Sequence, residues 1–196
     1  MYTFDAQDYP YPSKRHVVYA KNGMVCAGNP TATAAGLQTL MKGGNAVDAA
    51  VTVAATLPVS EPTGNGLGAD CFAIIWYKGK LYGINGSGPA PKALTIDALK
   101  ARGHEKIPSY GVEPIDAPGA VAGWVAMHER FGRMEFKDVL APAISYAENG
   151  FPVSPNISRL WEEAWTIYGK YRDRPEFQGW FDTFAKADGW YRPGEM

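Results

Sequence analysis

The chain has 196 residues, 46% of them hydrophobic, and its 19 basic and 20 acidic side chains leave a net charge of -1. That balance creates no field to draw in nucleic acid or an anionic membrane surface, so neither is expected as a partner. The apolar content excludes a disordered chain and supplies enough core for one domain or somewhat more. Residues 1–16, MYTFDAQDYPYPSKRH, begin with acids and carry Pro10 and Pro12 without periodicity, which predicts an extended arm. With no apolar run of a secretory signal there, a cytoplasmic protein is expected. HVVYAKNGMVCAG, residues 16–28, places two β-type runs around Lys21-Asn22-Gly23 and predicts a hairpin. The organisation drawn from this is an arm and first strand over 1–22, followed by one domain over 23–196.

Asn29-Pro30 is a helix start, because Asn caps free N–H groups and Pro at the first helical position forfeits no bond. The helix should run to about Lys42, with Ala32, Ala35, Gly36 and Leu40 on one face, and Gly43-Gly44 should close it. Asn45 then caps a second helix, and Asp48, three residues on, fits a capping box at the positive end of the helix dipole. From Ala46 to Leu57 almost nothing else favours water, and Pro58 should stop the helix. An element apolar all round must be buried on several sides. At roughly a dozen residues it is far short of the ~20 that span a membrane.

Ser60 to Asp70 is turn-rich, and its Gly64, Gly66 and Gly68 predict a backbone passing close to a packed neighbour. They do not make a nucleotide loop, because the order here is helix, loop, strand, whereas phosphate capture needs strand, loop, helix. Cys71 to Trp76 and the run after a Lys78-Gly79-Lys80 turn predict a hairpin, and its unalternating apolar character predicts a sheet covered on both faces. Further on, helices are expected from Ile96 to Arg102, Ala120 to Phe131, Phe136 to Asn149 and Asn156 to Tyr168, with a short strand within Ser109 to Pro118. KADGWYRPGEM at the end reads as turns that close nothing.

Cys26 and Cys71 fit buried, reduced thiols in strands. His16, His104 and His128 are too dispersed for a metal site, and no cofactor is expected. Ser87, in Asn85-Gly86-Ser87-Gly88, ends a strand in a glycine-rich loop but lacks the nucleophile-elbow pattern and any local base. It is a candidate for lining a site, since loops at strand ends carry binding groups. The residues alone therefore give an α/β or α+β layered protein with strands covered on both faces and no complete catalytic set, and α+β is the class taken.

The stretch GMVCAGNPTATAAGLQTLMKGGNAVDAAVTVAATLPVSEP, Gly23 to Pro62, resembles the opening of the gamma-glutamyltransferase family. The likeness continues through Asn65-Gly66-Leu67-Gly68, Pro118-Gly119-Ala120, Phe131-Gly132-Arg133 and Leu140-Ala141-Pro142-Ala143-Ile144 to Ser154. It implies an N-terminal-nucleophile hydrolase fold, an αββα four-layer sandwich of which this chain is the N-terminal portion. It also implies a self-cleaving precursor whose new N-terminal threonine attacks a γ-glutamyl amide such as that of glutathione. The α-amine of that threonine titrates near neutrality and serves as its base. By this comparison no catalytic residue lies in the chain, which alone should be inactive; the rest of the large subunit and a small subunit with the nucleophile are the implied partners. Without them the chain would self-associate.

The resemblance places the family's carboxylate-binding arginine at Ser87, which is therefore the one candidate substrate-binding residue. A hydroxyl offers one weak donor where a guanidinium offers two charge-assisted ones. That brings the cephalosporin and glutaryl acylases of the family close as an alternative, and a non-catalytic scaffold of the same fold is the alternative from another class.

Overall fold

The computed structural model describes residues 17–196. The arm expected over 1–16, and His16 with it, lies outside the described residues. Helix α1, Pro30–Met41, begins where the Asn29 carboxamide accepts from the N–H groups of Thr31 (2.8 Å) and Ala32 (3.3 Å). Helix α2, Ala46–Ser60, begins with the expected capping box: the Asn45 side chain accepts from Val47 and Asp48, and Asp48 answers the Asn45 N–H at 2.8 Å.

Pro58 does not stop α2 as expected but sits inside it, and the helix runs on to Ser60. Proline removes one N–H, yet so near the end only that bond is lost, and Glu61 N–H still reaches the Leu57 carbonyl at 2.6 Å. Around this helix pack α1 on one side and α5, Phe136–Asn149, on another, with α4, Ala120–Phe131, beside them. Val51 and Val53 are buried, which is why α2 can be apolar on every side. Its two threonine hydroxyls are satisfied within the core, Thr52 donating to the Val139 carbonyl (3.0 Å) and pairing with Thr39 (2.9 Å) and Thr56 donating to the Thr52 carbonyl (2.7 Å), whereas Ser60 Oγ is buried without a partner among the described residues. Thr52→Val should therefore lower stability by about 0.5–1.5 kcal/mol, because it removes two buried hydrogen bonds while Thr39 keeps its own to the Ala35 carbonyl at 3.1 Å. A urea midpoint equal to wild type would refute that.

The sheet is one antiparallel hairpin, β1 (Phe72–Tyr77) and β2 (Lys80–Asn85), with Phe72 opposite Asn85 and Tyr77 opposite Lys80. Both turn residues have positive φ, 49° at Lys78 and 78° at Gly79, the two-residue turn whose twist matches the strands. Ala73, Ile75, Tyr77, Tyr82 and Ile84 face the core formed by α2, α4 and α5. The opposite face is bare within the described residues, with Phe72 66%, Ile74 83% and Trp76 71% exposed. The sequence pattern required two covers and this chain supplies one.

Several other expectations are corrected. Residues 17–28 form no strand among the described residues, and Cys26 is exposed rather than buried in one, because no strand lies beside it to pair with. Residues 109–118 also run without strand pairing, and their one link to the hairpin loop is the Ala117 N–H donating to Pro89 at 3.1 Å.

Helices α3 (Ile96–Ala101) and α6 (Pro155–Tyr168) form as expected, but α7, Gln178–Phe184, was not foreseen. Nor does the C-terminal stretch close nothing. Val153 exchanges backbone bonds with Glu195 and Gly194, both at 2.8 Å, and Lys186 Nζ meets Glu195 at 2.8 Å, which ties the end of the chain to the start of α6. No helix among the described residues is long and apolar enough to cross a membrane.

Candidate functional site

Ser87 stands just beyond β2, where three backbone segments cross. Cys71 and Gly86 exchange bonds, Gly86 N–H to Cys71 O at 2.6 Å and Cys71 N–H to Gly86 O at 3.2 Å, extending the ladder by one pair. From the other side, the N–H groups of Gly119 and Ala120 both donate to the Ala69 carbonyl, at 3.2 and 2.8 Å. These bonds fix the first turn of α4 against the loop entering β1.

The crossing is so close that only glycine fits. A Cβ on Gly88 would fall 1.3 Å from the Ala117 carbonyl oxygen, and one on Gly119 would fall 1.9 Å from that of Gly86. By contrast Gly64 and Gly68 would meet nothing within 4 Å and Gly66 only Gly68 N at 3.9 Å, so the close approach expected there belongs to this other set of glycines. Beneath the crossing Cys71 is buried against Gly86 and Gly123, and burial pushes its thiol pKa up, which keeps it an un-ionised packing group.

Ser87 itself is exposed, and the Asn85 carboxamide oxygen accepts from both its N–H (3.0 Å) and its Oγ–H (2.7 Å). This is an Asx-type turn, and it has a chemical consequence. A hydroxyl has one hydrogen, so with that hydrogen on Asn85 the serine offers a ligand only lone pairs. Position 87 in this arrangement accepts hydrogen bonds and has none to give a carboxylate. Sequence reasoning singled out Ser87 but missed Asn85, Gly88 and Gly119 as the residues that set its polarity and place it. The signal for Asn85 was present, since Asn before Gly-Ser is a turn former that bonds its own backbone two residues on.

The other residues considered for chemistry are structural. Asp48 is fully buried and accepts the Arg133 N–H on both oxygens, at 3.0 and 3.1 Å, with His128 Nε2 3.6 Å away. Its capping role thus extends into a bond between α2 and the α4–α5 turn. His104 lies beside Glu113, 3.8 Å away, near the surface. Among the described residues no three metal-ligating side chains come together.

Comparison with known proteins places these features. A glutathione hydrolase-like YwrD proenzyme from Bacillus subtilis strain 168 is 43% identical over 145 residues, 71% of this chain and 27% of that protein. The crystal structure of cephalosporin acylase from Bacillus halodurans matches with a TM-score of 0.90 at 49% identity, over 99% of this chain and 36% of that one. Helicobacter pylori gamma-glutamyltranspeptidase matches with a TM-score of 0.81 at 28% identity, over 91% of this chain and 51% of that one. The chain therefore spans between about a quarter and a half of the proteins it resembles. Since the sequence model of gamma-glutamyltranspeptidase matches residues 32–196, nearly the whole of the described helices and hairpin, the chain belongs to the gamma-glutamyltranspeptidase family.

Proposed function

We propose that this chain is a large-subunit portion of an amide hydrolase or acyltransferase. The whole enzyme transfers an acyl group from a γ-glutamyl or related amide onto an N-terminal threonine carried by a small subunit, and then to water or an amine. The supporting observation is that one backbone matches both a cephalosporin acylase over 99% of this chain and a gamma-glutamyltranspeptidase over 91% of it. In this reading the chain provides one sheet layer and its helical cover of a four-layer αββα sandwich. A second sheet from the remaining protein then covers Phe72, Ile74 and Trp76, apolar side chains that otherwise expose a large patch to water. Hydrolysis of γ-glutamyl and glutaryl anilides by the intact protein tests the activity: release of neither, with the threonine processed, would overturn it.

The geometry at Ser87 favours, within this reading, an acyl donor that has no terminal carboxylate. A γ-glutamyl donor presents an α-carboxylate and an α-ammonium; a glutaryl donor keeps that carboxylate and lacks the ammonium, whereas an uncharged acyl donor such as butanoyl lacks both. Because Asn85 holds both Ser87 donors, the position is suited to an acyl group without the carboxylate. Ser87→Arg is expected to raise the kcat/KM ratio of γ-glutamyl and glutaryl donors over an uncharged butanoyl donor by about tenfold or more, the worth of a charge-assisted pair. An unchanged ratio would mean that the donor carboxylate is read elsewhere.

A further inference from the structure

We propose that the aromatic cleft between α6 and α7 binds a small molecule bearing an alkylammonium group. The cleft has a volume of about 400 Å3 and is walled by Tyr110, Trp161, Tyr168, Trp180 and Phe184, with Glu163 among its lining residues. A volume of that size suits a small ligand. The walls lie in different planes: Tyr110 meets Tyr168 edge-on at 85°, and Tyr168 meets Trp180 at 45° with centroids 4.6 Å apart. Trp161 is held in place by its indole N–H, which donates to the Phe184 carbonyl at 2.7 Å and so spends its polar group on the protein. Thr63, Glu163, Tyr110 and Tyr168 bring polar groups to the lining, but the larger part of the wall is apolar, and the ring faces in it carry the negative part of the aromatic quadrupole.

The same segment already uses its rings in this way. Arg172 lies 4.7 Å from the Trp165 centroid and 4.6 Å from that of Phe181, and Arg174 lies 5.5 and 5.2 Å from Tyr171 and Phe177. Arg192 lies 3.7 Å from Trp190. Among the described residues the five cleft rings carry no such cation, although they belong to the same cluster. Glu163 is 54% exposed and paired with Arg159, so the ion pair is close to neutral and well solvated, and selection falls to the rings. A charge spread over alkyl groups matches such a cage, because it is weakly hydrated and loses little on entering it. The site is independent of the acyl-transfer reading, and its test uses no turnover.

The test is calorimetric titration of the intact protein, at fixed ionic strength, with choline and with its uncharged isostere 3,3-dimethylbutan-1-ol. Choline is expected to bind saturably and about tenfold tighter than the isostere. Trp180→Ala should weaken choline about tenfold, whereas Trp180→Phe, which keeps a ring and guards against a folding defect, should stay within about threefold. Equal affinity for the two ligands would make the cleft merely apolar, and absence of choline binding, or a Trp180→Phe loss as large as that of Trp180→Ala, would overturn the proposal.

Discussion

Replacing Asp48 with alanine is expected to cost about 3–5 kcal/mol, because it removes an acceptor shared by two parts of the fold. The carboxylate takes the Asn45 N–H at 2.8 Å and the Arg133 N–H at 3.0 and 3.1 Å, with no exposure to water. Alanine leaves both partly buried N–H groups without their acceptor, each at about 1–3 kcal/mol, and opens a gap beside His128. Asparagine is nearly isosteric but turns one acceptor into a donor facing an N–H, so Asp48→Asn should also be destabilising, by less than alanine. An N-cap acid acting only on its own helix would cost about 1 kcal/mol. The urea midpoints of the two variants in the intact protein separate these cases: a loss under about 1.5 kcal/mol for Asp48→Ala would reduce the residue to a local cap.

How far the sequence carried this fold depended on how local each cause was. Asn29 and Asn45 cap their helices through side chains two or three residues from the N–H groups they satisfy, and those starts were legible; Ser154 caps α6 in the same way, although the pattern placed that start at Asn156 and named no cap. Lys78-Gly79 forms its turn from its own dihedrals, and the hairpin was legible for the same reason. The bond from Asp48 to Arg133 joins residues 85 positions apart and leaves no periodic trace, so only its capping half was foreseen. Val17 to Gly28 has strand composition, but composition does not provide a neighbour to pair with, and no strand forms there. The C-terminal clasp failed for the opposite reason: Gly194 and Glu195 sit in turn-forming sequence, yet Val153 draws them into paired backbone. At the candidate site the pattern identified Ser87, while its acceptor-only character required knowing where Asn85 Oδ1 points.

The glycines separate a real constraint from an apparent one, and a pair of alanine substitutions should show it. Gly88→Ala places a Cβ 1.3 Å from the Ala117 carbonyl oxygen, a distance no rotamer can relieve because both partners are backbone. The two segments must part, which strains the Ala117 to Pro89 bond of 3.1 Å and the stitching of Gly119 and Ala120 to Ala69. Overpacking of side chains costs about 1–3 kcal/mol, and a backbone clash should exceed that range. Since Ser87 is carried on this crossing, hydrolysis should fall further than the stability change accounts for. Gly68→Ala, in the loop whose motif drew more notice, meets nothing within 4 Å and should stay within about 0.5 kcal/mol of wild type. Thermal unfolding of both variants, with anilide hydrolysis on the same samples, decides the matter. Equal behaviour of the two would mean that the crossing at Gly88 yields without cost, whereas a loss confined to Gly68→Ala would place the packed neighbour on the other loop, in the part of the protein that covers it.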